Sequence, residues 1–212
     1  MLKADLILLH APSVYDFRKR TAMYGPISDL IPSSPMFEMY PVGFISISEY
    51  LGRAGYTVRI VNLANRMLSD PGFDAEKAIQ DMRPKAFGID LHWLPHAHGA
   101  IEIARLVKKH HPHTPVVMGG IASSYYYKEL LNYPEIDYVI RGDTTEEPFR
   151  QLMDCIVQGR PPETVPNLMW RDAQGQVREN DFSHVPSSLD GVLNDCYNFM
   201  FRSVLKHRDI AN

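Results

Sequence analysis

The stretch VVMGGIASS at residues 116–124 combines a short apolar run, two glycines and the start of a segment with helical spacing. Similar apolar runs, each followed by a longer amphipathic segment, begin at Leu6, Tyr56, Ala86 and Tyr138. Runs that are apolar on both faces are typical of parallel strands covered by helices on each side. The chain is therefore predicted to alternate β-strands with α-helices.

This alternation predicts one α/β domain over residues 1–160. Right-handed crossovers would build a doubly wound, flavodoxin-like (Rossmann-like) sheet of five parallel strands in the order 2-1-3-4-5. After residue 160 the alternation ends, and two short apolar segments flank the turn sequence DAQG at residues 172–175, which predicts a β-hairpin. Residues 161–212 are therefore predicted to form a small α+β extension with a helix near residues 192–206.

Composition argues against several classes of protein. The formal net charge is -3, and the basic tracts are too short to form the clustered basic face that nucleic acid requires. No apolar run approaches the ~20 residues that span a bilayer, and no signal peptide is recognisable, so a cytoplasmic protein without membrane association is expected. Cys155 and Cys196 are far apart and cannot build a disulfide framework or a thiolate metal site.

The carboxyl ends of the predicted strands define the expected ligand crevice, because open parallel sheets bind ligands where the strand order reverses. The pair Gly119-Gly120 would let a flat or bulky group approach the backbone. Ser123 and Ser124 could cap the next helix or bind the ligand. A tight strand-to-helix connection explains the same four residues without a ligand. Residues 11–41 form a loop far longer than the usual ~2–6 residues, which favours a functional role.

Two neighbouring loops admit more than one interpretation. Residues 90–99, DLHWLPHAHG, carry three histidines, but their spacing fits no standard zinc motif. Ordinary loop histidines, or contacts to a cofactor, explain them better than a metal cluster. In the second loop, Thr144 or Thr145 together with Glu147 predicts a capping box at the start of a helix over residues 146–159. The chain contains no GxGxxG, Walker or GxSxG motif, so no self-contained catalytic site is predicted.

Three blocks of sequence resemble the cobalamin-binding domain that precedes the catalytic barrel in B12-dependent radical SAM enzymes. They begin with PVGF and YLGRAGYTV at residues 41–58, continue with VVMGGIAS at residues 116–123 and end with IDYVIRGD at residues 136–143. The family's counterparts read P-x-G-L…L-R-x-x-G-Y-x-V, V-V-x-G-G-x-x-A-S and V-D-x-V-V-x-G-E-G-E. Asp143 stands where that pattern has Glu, and it keeps the charge. The resemblance covers residues 1–160.

The resemblance implies a cobalamin cofactor whose corrin ring lies over the strand ends and whose nucleotide tail inserts beside the sheet. Gly119 and Gly120 would line the tail, while the loop at residues 90–93 and the start of the first loop would face the corrin. The implied cofactor-binding residues are Ala11, Pro12, Ser13, Pro41, Gly43, Asp90, Leu91, His92, Trp93, Gly119, Gly120, Ile121, Ser123 and Gly142. Methyl transfer or related radical chemistry would depend on the cobalt and on a neighbouring domain.

Two features set the chain apart from related sequences. Methionine-synthase-type domains take a lower-ligand histidine from D-x-H-x-x-G after the first strand. Here Asp90-Leu91-His92 follows the third strand and Pro95 replaces the glycine, so the resemblance does not predict a histidine ligand to cobalt. A radical SAM cluster needs C-x-x-x-C-x-x-C, which two cysteines cannot supply. The [4Fe–4S] cluster and S-adenosylmethionine are therefore expected in a C-terminal domain beyond Asn212, and the chain is expected to be inactive without it.

Two alternatives remain open on the residues alone. A flavodoxin-like scaffold that has lost cobalamin and serves substrate recognition or docking would use Gly119-Gly120 only as a turn. A hydrolase or transferase acting through the histidine loop would depend on His92 and would contain a metal ion.

Overall fold

The computed structural model of the chain describes residues 2–19 and 42–188. Its strands are β1 (Leu2–Lys3), β2 (Leu6–His10), β3 (Val58–Asn62), β4 (Met82–Arg83), β5 (Ala86–Asp90), β6 (Val116–Gly119), β7 (Tyr138–Ile140), β8 (Leu168–Arg171) and β9 (Val177–Glu179). Its helices are α1 (Gly43–Arg53), α2 (Leu63–Ser69), α3 (Ala75–Gln80), α4 (Ala97–His110), α5 (Ile121–Tyr125), α6 (Tyr127–Leu130) and α7 (Glu146–Gln158). A 3₁₀ turn at Leu94–His96 precedes α4.

The main sheet has seven strands in the order β3-β2-β5-β6-β7-β8-β9, and the first five of these are parallel. Numbered along the chain, the five parallel strands lie in the order 2-1-3-4-5. The predicted α/β class with a mostly parallel sheet is confirmed. The predicted hairpin is β8–β9, which pairs antiparallel to β7 and extends the same sheet. Pairing with β8 satisfies the backbone groups that β7 would otherwise present at an open edge.

Successive side chains along each strand enter two separate cores, as expected for a sheet covered on both faces. Ile7 and Leu9 of β2 pack in the core beneath α2, α3 and α4, whereas Leu6 and Leu8 pack in the core beneath α1 and α7. Helix α1, which follows β2, covers one face of the sheet, whereas α4, which follows the neighbouring strand β5, covers the other face. The structure therefore leaves a crevice at the carboxyl ends of these two strands, where open α/β sheets bind ligands.

Some predicted elements differ in detail from the observed ones. The helix predicted after β6 is two short helices, and the first begins at Ile121, directly after Gly120. The predicted helix near residues 192–206, Pro41 and most of the long first loop lie outside the described residues. Over the two described ranges, none of the helices has the length and apolar character that crossing a membrane requires.

Candidate functional site

A pocket of about 260 Å³ opens at the carboxyl ends of β2, β5, β6 and β7. It runs along the face of the sheet that α1 and α7 cover, and Phe44 of α1 and Phe149 of α7 form part of its opposite wall. Its floor includes Leu8, Gly88 and Val117, which are paired side by side across β2, β5 and β6. The pocket is therefore a mostly apolar slot between the sheet and two helices, open at the strand ends.

Gly88 determines how deep this slot is. A Cβ atom at residue 88 would lie 2.6 Å from Cδ2 of Leu8 and 3.4 Å from Cζ of Phe149. Any side chain at this position would therefore occupy the space between strand and helix that forms the lower part of the pocket. Gly88 is not among the residues predicted from sequence, although a glycine inside an apolar strand such as AFGID often indicates a close approach of neighbouring groups.

Hydrogen bonds between α1 and α7 stabilise the helical wall of the slot. Ser46 donates a hydrogen bond to the buried carboxylate of Glu146, and the Tyr50 hydroxyl donates to Glu147 over 3.0 Å. Arg150 forms an ion pair with Glu147 over 2.6 Å. Hydrogen bonds from Arg150, Gln151 and Tyr50 lower the pKa of Glu147 to about 2, although partial burial opposes this shift.

The predicted capping box does not form. Thr145 is the residue before the first turn of α7, and its side chain makes no capping hydrogen bond. The carboxylate of Glu147 is instead occupied by Arg150 and Gln151, one turn further along α7, and by Tyr50 of α1. Because the helix begins at Glu146, Glu147 is its second residue and not the third, which is the position that a capping box requires.

Gly119 and Gly120 lie at the mouth of the pocket and have different surroundings. A Cβ atom at Gly119 would meet no atom within 4 Å, so this glycine borders open space. Gly120 has φ 107°, and a Cβ atom there would lie 2.8 Å from the backbone of Leu91 and His92. Gly119 therefore leaves space for a ligand, whereas Gly120 lets the loop after β6 touch the loop after β5.

The two serines after this glycine pair bind the protein's own backbone. Ser123 is fully buried, and its hydroxyl donates to the carbonyl oxygen of Gly119 over 3.0 Å. Ser124 donates to the carbonyl oxygen of Gly120 and accepts a hydrogen bond of 2.8 Å from the backbone N–H of Gly142. Ser124 thereby connects the loops after β6 and β7, which form adjacent sides of the mouth.

A buried carboxylate lies at the end of β5. Asp90 is 3% exposed, and its side chain accepts hydrogen bonds from Nδ1 of His10 over 2.9 Å and from Nδ1 of His92 over 2.6 Å. Burial alone would raise the pKa of Asp90, but the interactions with His10 and His92 hold it well below its usual range. The ring of His96 packs 5.3 Å from that of His10 and 5.1 Å from that of His92. These four side chains form one cluster beside the pocket.

Half of the predicted cofactor-binding residues line the pocket, namely Gly43, Asp90, His92, Gly119, Gly120, Ile121 and Gly142. Leu91 and Ser123 are buried behind the mouth, and Trp93 is 52% exposed next to His92. Pro41 lies outside the described residues.

The start of the first loop, Ala11–Pro12–Ser13, is buried against the first turn of α4. Gly99 makes this contact possible, because a Cβ atom at residue 99 would lie 1.6 Å from the carbonyl oxygen of Pro12. The backbone N–H of Gly99 also donates to the carbonyl oxygen of Ser13. Among the described residues that border the pocket, none comes from this short segment.

Comparison with known proteins identifies the class to which this site belongs. A family model described as the B12 binding domain matches residues 31–152, which is more than half of the chain. The chain therefore belongs to the family of B12-binding domains, whose cofactor is cobalamin.

Two curated relatives are methyltransferases by name. The hopanoid C-3 methylase of Methylococcus capsulatus is 24% identical over 165 residues, which cover 76% of this chain and 31% of that protein. The cytidylyl-2-hydroxyethylphosphonate methyltransferase of Streptomyces wedmorensis is 24% identical over 182 residues, which cover 76% of this chain and 34% of that protein. The chain thus spans about a third of the length of these relatives.

Solved structures share the fold. The radical S-adenosylmethionine methyltransferase TsrM from Kitasatospora setae, determined with cobalamin and a [4Fe-4S] cluster bound, has a TM-score of 0.61 at 20% identity, covering 87% of this chain and 30% of that one. The cobalamin-dependent S-adenosylmethionine radical enzyme OxsB, determined with aqua-cobalamin and S-adenosylmethionine bound, has a TM-score of 0.59 at 15% identity and covers 87% of this chain. At these identities the likeness concerns the fold.

The shape and chemistry of the pocket fit this cofactor. The slot between sheet and helices has apolar walls suited to a flat heterocyclic base, and the open space beside Gly119 would admit a bulky group at the mouth. Ile121, which lines the pocket, is 56% exposed, and Trp93, which packs against the pocket residue His92, is 52% exposed. The site therefore combines an apolar slot with exposed apolar side chains near its opening.

Proposed function

We propose that the nucleotide tail of cobalamin occupies the slot between the sheet and helices α1 and α7. Gly88 would leave room for the base of the tail, and Gly119 would leave room for the connecting chain. The single observation that carries this proposal is the open space at Gly119, which lines the same pocket as Gly88.

We further propose that the corrin ring lies over the strand ends, against the Asp90–Trp93 loop and Ile121. The exposure of Trp93 and Ile121 supports this placement, since exposed apolar groups at the rim of a pocket favour contact with a flat apolar ligand. The remaining predicted site residues would act from behind this surface: Leu91, Ser123 and Ala11–Pro12–Ser13 would support the loops, and Pro41 would precede the Gly43 rim.

The parent protein is proposed to be a B12-dependent radical SAM methyltransferase. The names of the relatives, and the fact that the chain covers about a third of their length, support this proposal. Residues 1–160 would form the cobalamin domain, and residues 161–212 would lead to a C-terminal domain holding the [4Fe–4S] cluster and S-adenosylmethionine. When bound, cobalamin supplies a cobalt centre able to carry a methyl group, while this chain binds and orients it. The free, buried thiol of Cys155 is compatible with a reducing, cytoplasmic compartment.

Retention of hydroxocobalamin by the purified chain tests the binding proposal. The chain is mixed with excess hydroxocobalamin and desalted, and its visible spectrum is recorded. We expect corrin absorbance near one equivalent for the unmodified chain and for Gly52→Leu, whose side chain would lie on the exposed surface of α1, away from the pocket. We expect little absorbance for Gly119→Leu. If neither the unmodified chain nor Gly52→Leu retains a corrin, the docking-scaffold alternative replaces this proposal.

A further inference from the structure

The polar side chains of the pocket lie at its mouth. Asp90 ends β5 and His92 follows it, whereas Asp143 and Thr145 lie between β7 and α7. Because β2, β5, β6 and β7 run parallel, both loops lie at the carboxyl edge of the sheet. Among the described residues that line the pocket, only these four carry a polar side chain. The hydrogen-bonding side chains of this lining are therefore confined to the opening of the pocket.

The sheet side of the inner slot is apolar. Leu8, Gly88 and Val117 form one row across β2, β5 and β6. Gly88 lies two residues before Asp90, about 7 Å deeper along the strand. Each of these three strands pairs with a neighbour on both sides. The backbone N–H and C=O groups of the row therefore bond within the sheet and are not available to a ligand.

The helical side of the inner slot is apolar as well. Ile47 lies one turn into α1 and Phe149 lies one turn into α7, so both are deeper than the first residues of these helices. Two buried polar side chains of the same helices, Ser46 and Glu146, form a hydrogen bond with each other and do not line the pocket. Over the described residues, the inner slot therefore offers a bound ligand no hydrogen-bonding group.

Corrinoids differ in the base that ends the nucleotide tail. The dimethylbenzimidazole of cobalamin carries methyl groups and a single free ring nitrogen. Adenine, which replaces it in other corrinoids, carries an amino group and several free ring nitrogens. A polar group that leaves water for apolar surroundings without a hydrogen-bond partner weakens binding by roughly tenfold or more. An apolar slot should therefore distinguish between the two bases, because adenine loses more hydrogen bonds to water.

We propose that the slot selects corrinoids by the base of the tail and favours alkylated benzimidazoles over purines. Ile47 of the helical wall and Val117 of the sheet would determine this specificity, since their side chains offer the base no hydrogen bond. This inference rests on the proposed function, because it requires the tail to occupy the slot, and it adds the chemical class of the ligand. Displacing the base from cobalt is easier for adenine, whose ring nitrogens are less basic, so the preference has to come from the slot itself.

Equilibrium dialysis of the purified chain with three corrinoids tests the selectivity. The probes are cobalamin, its analogue with adenine as the tail base, and cobinamide, which lacks the tail. We expect cobalamin to bind at least about tenfold more tightly than the adenine analogue. If the two bind equally, or the analogue binds more tightly, while cobinamide binds more weakly than both, the selectivity is wrong and the tail placement stands. Equal binding of all three, or no binding of cobalamin, overturns the proposed function as well.

Polar substitutions inside the slot provide a second test. Ile47→Gln would place an amide in the inner slot, and we expect the preference for cobalamin to fall to about threefold or less, since a new hydrogen bond offsets part of the cost for adenine. Val117→Thr, which exchanges a methyl group for a hydroxyl, should shift the ratio of the two affinities in the same direction.

Ile45→Gln is the matched control, because it is the same substitution in the same helix, at a partly buried residue outside the pocket lining. It should leave the ratio as in the unmodified chain. A ratio that neither slot variant changes overturns the assignment of selectivity to Ile47 and Val117. Should a variant fail to fold, the ratio measured on the unmodified chain remains decisive.

Discussion

Gly119 borders open space at the pocket mouth, whereas a Cβ atom at its neighbour Gly120 would lie only 2.8 Å from the backbone of Leu91. The two glycines are consecutive in sequence, but the absence of a side chain has a different consequence at each. The first leaves volume for a ligand, and the second allows two loops to approach each other. Substitutions at the two positions should therefore affect different properties of the protein.

We predict that Gly119→Leu abolishes cobalamin retention and changes the free energy of unfolding by no more than about 1 kcal/mol, as for other partly exposed sites. Gly120→Ala should instead lower the free energy of unfolding by about 2–4 kcal/mol, because alanine is strained at φ 107° and its Cβ presses on backbone atoms. Urea denaturation and desalting after loading measure the two effects. Equal loss of stability in both variants would contradict the distinction.

Gly88→Leu should weaken the binding of cobalamin far more than that of cobinamide, which lacks the nucleotide tail. The new side chain would fill the slot between Leu8 and Phe149, where the tail is proposed to lie. We expect at least a roughly tenfold loss of cobalamin affinity, equivalent to about 1.4 kcal/mol, and a much smaller change for cobinamide. Equilibrium dialysis with both corrinoids measures the difference, and an equal loss for both would place the tail elsewhere.

Glu147→Gln should remove a pH-dependent part of the stability. The pKa of Glu147 is about 2 in the folded chain against an ordinary value of 4.5, so its stabilisation is complete above pH 4.5 and is lost as the pH falls toward 2. The half-buried position and screening by solvent limit the effect to less than about 1 kcal/mol. Thermal unfolding at pH 7 and pH 3 should show a difference between the two chains that shrinks at the lower pH. Glu129→Gln, at an exposed position of α6, is the control.

Asn167→Ala should destabilise the region before β8. Asn167 is fully buried, and its side-chain oxygen accepts from the backbone N–H groups of Ser183 and His184 while its amide donates to the carbonyl oxygen of His184. Loss of these bonds and the positive φ of 61° predict a cost of about 2–4 kcal/mol. Urea denaturation measures it, with exposed Asn132→Ala as the control. A cost below that of the control would show that water replaces the lost bonds.

Much of the fold follows from local patterns in the sequence. The apolar runs at β2, β5 and β6 identify strands buried on both faces, because only such strands place every side chain in a core. The glycine pair at the end of β6 and Gly142 after β7 indicate the crevice, since the carboxyl ends of parallel strands share one edge of the sheet. By contrast, no local pattern in the sequence predicts that the β8–β9 hairpin pairs with β7 and so extends the main sheet. That pairing depends on which edge of the sheet is open to the hairpin in three dimensions.

The sequence by itself determined the strand–helix alternation, the position of the crevice and the resemblance to cobalamin-binding domains. Only the tertiary structure decided what each residue does there. It showed that Gly120 serves a contact between two loops, that Gly88 sets the depth of the slot against Phe149, and that Asp90 orients His92 with support from His10. These roles depend on atoms brought together from residues far apart in the chain, and periodicity and spacing describe only neighbours in sequence.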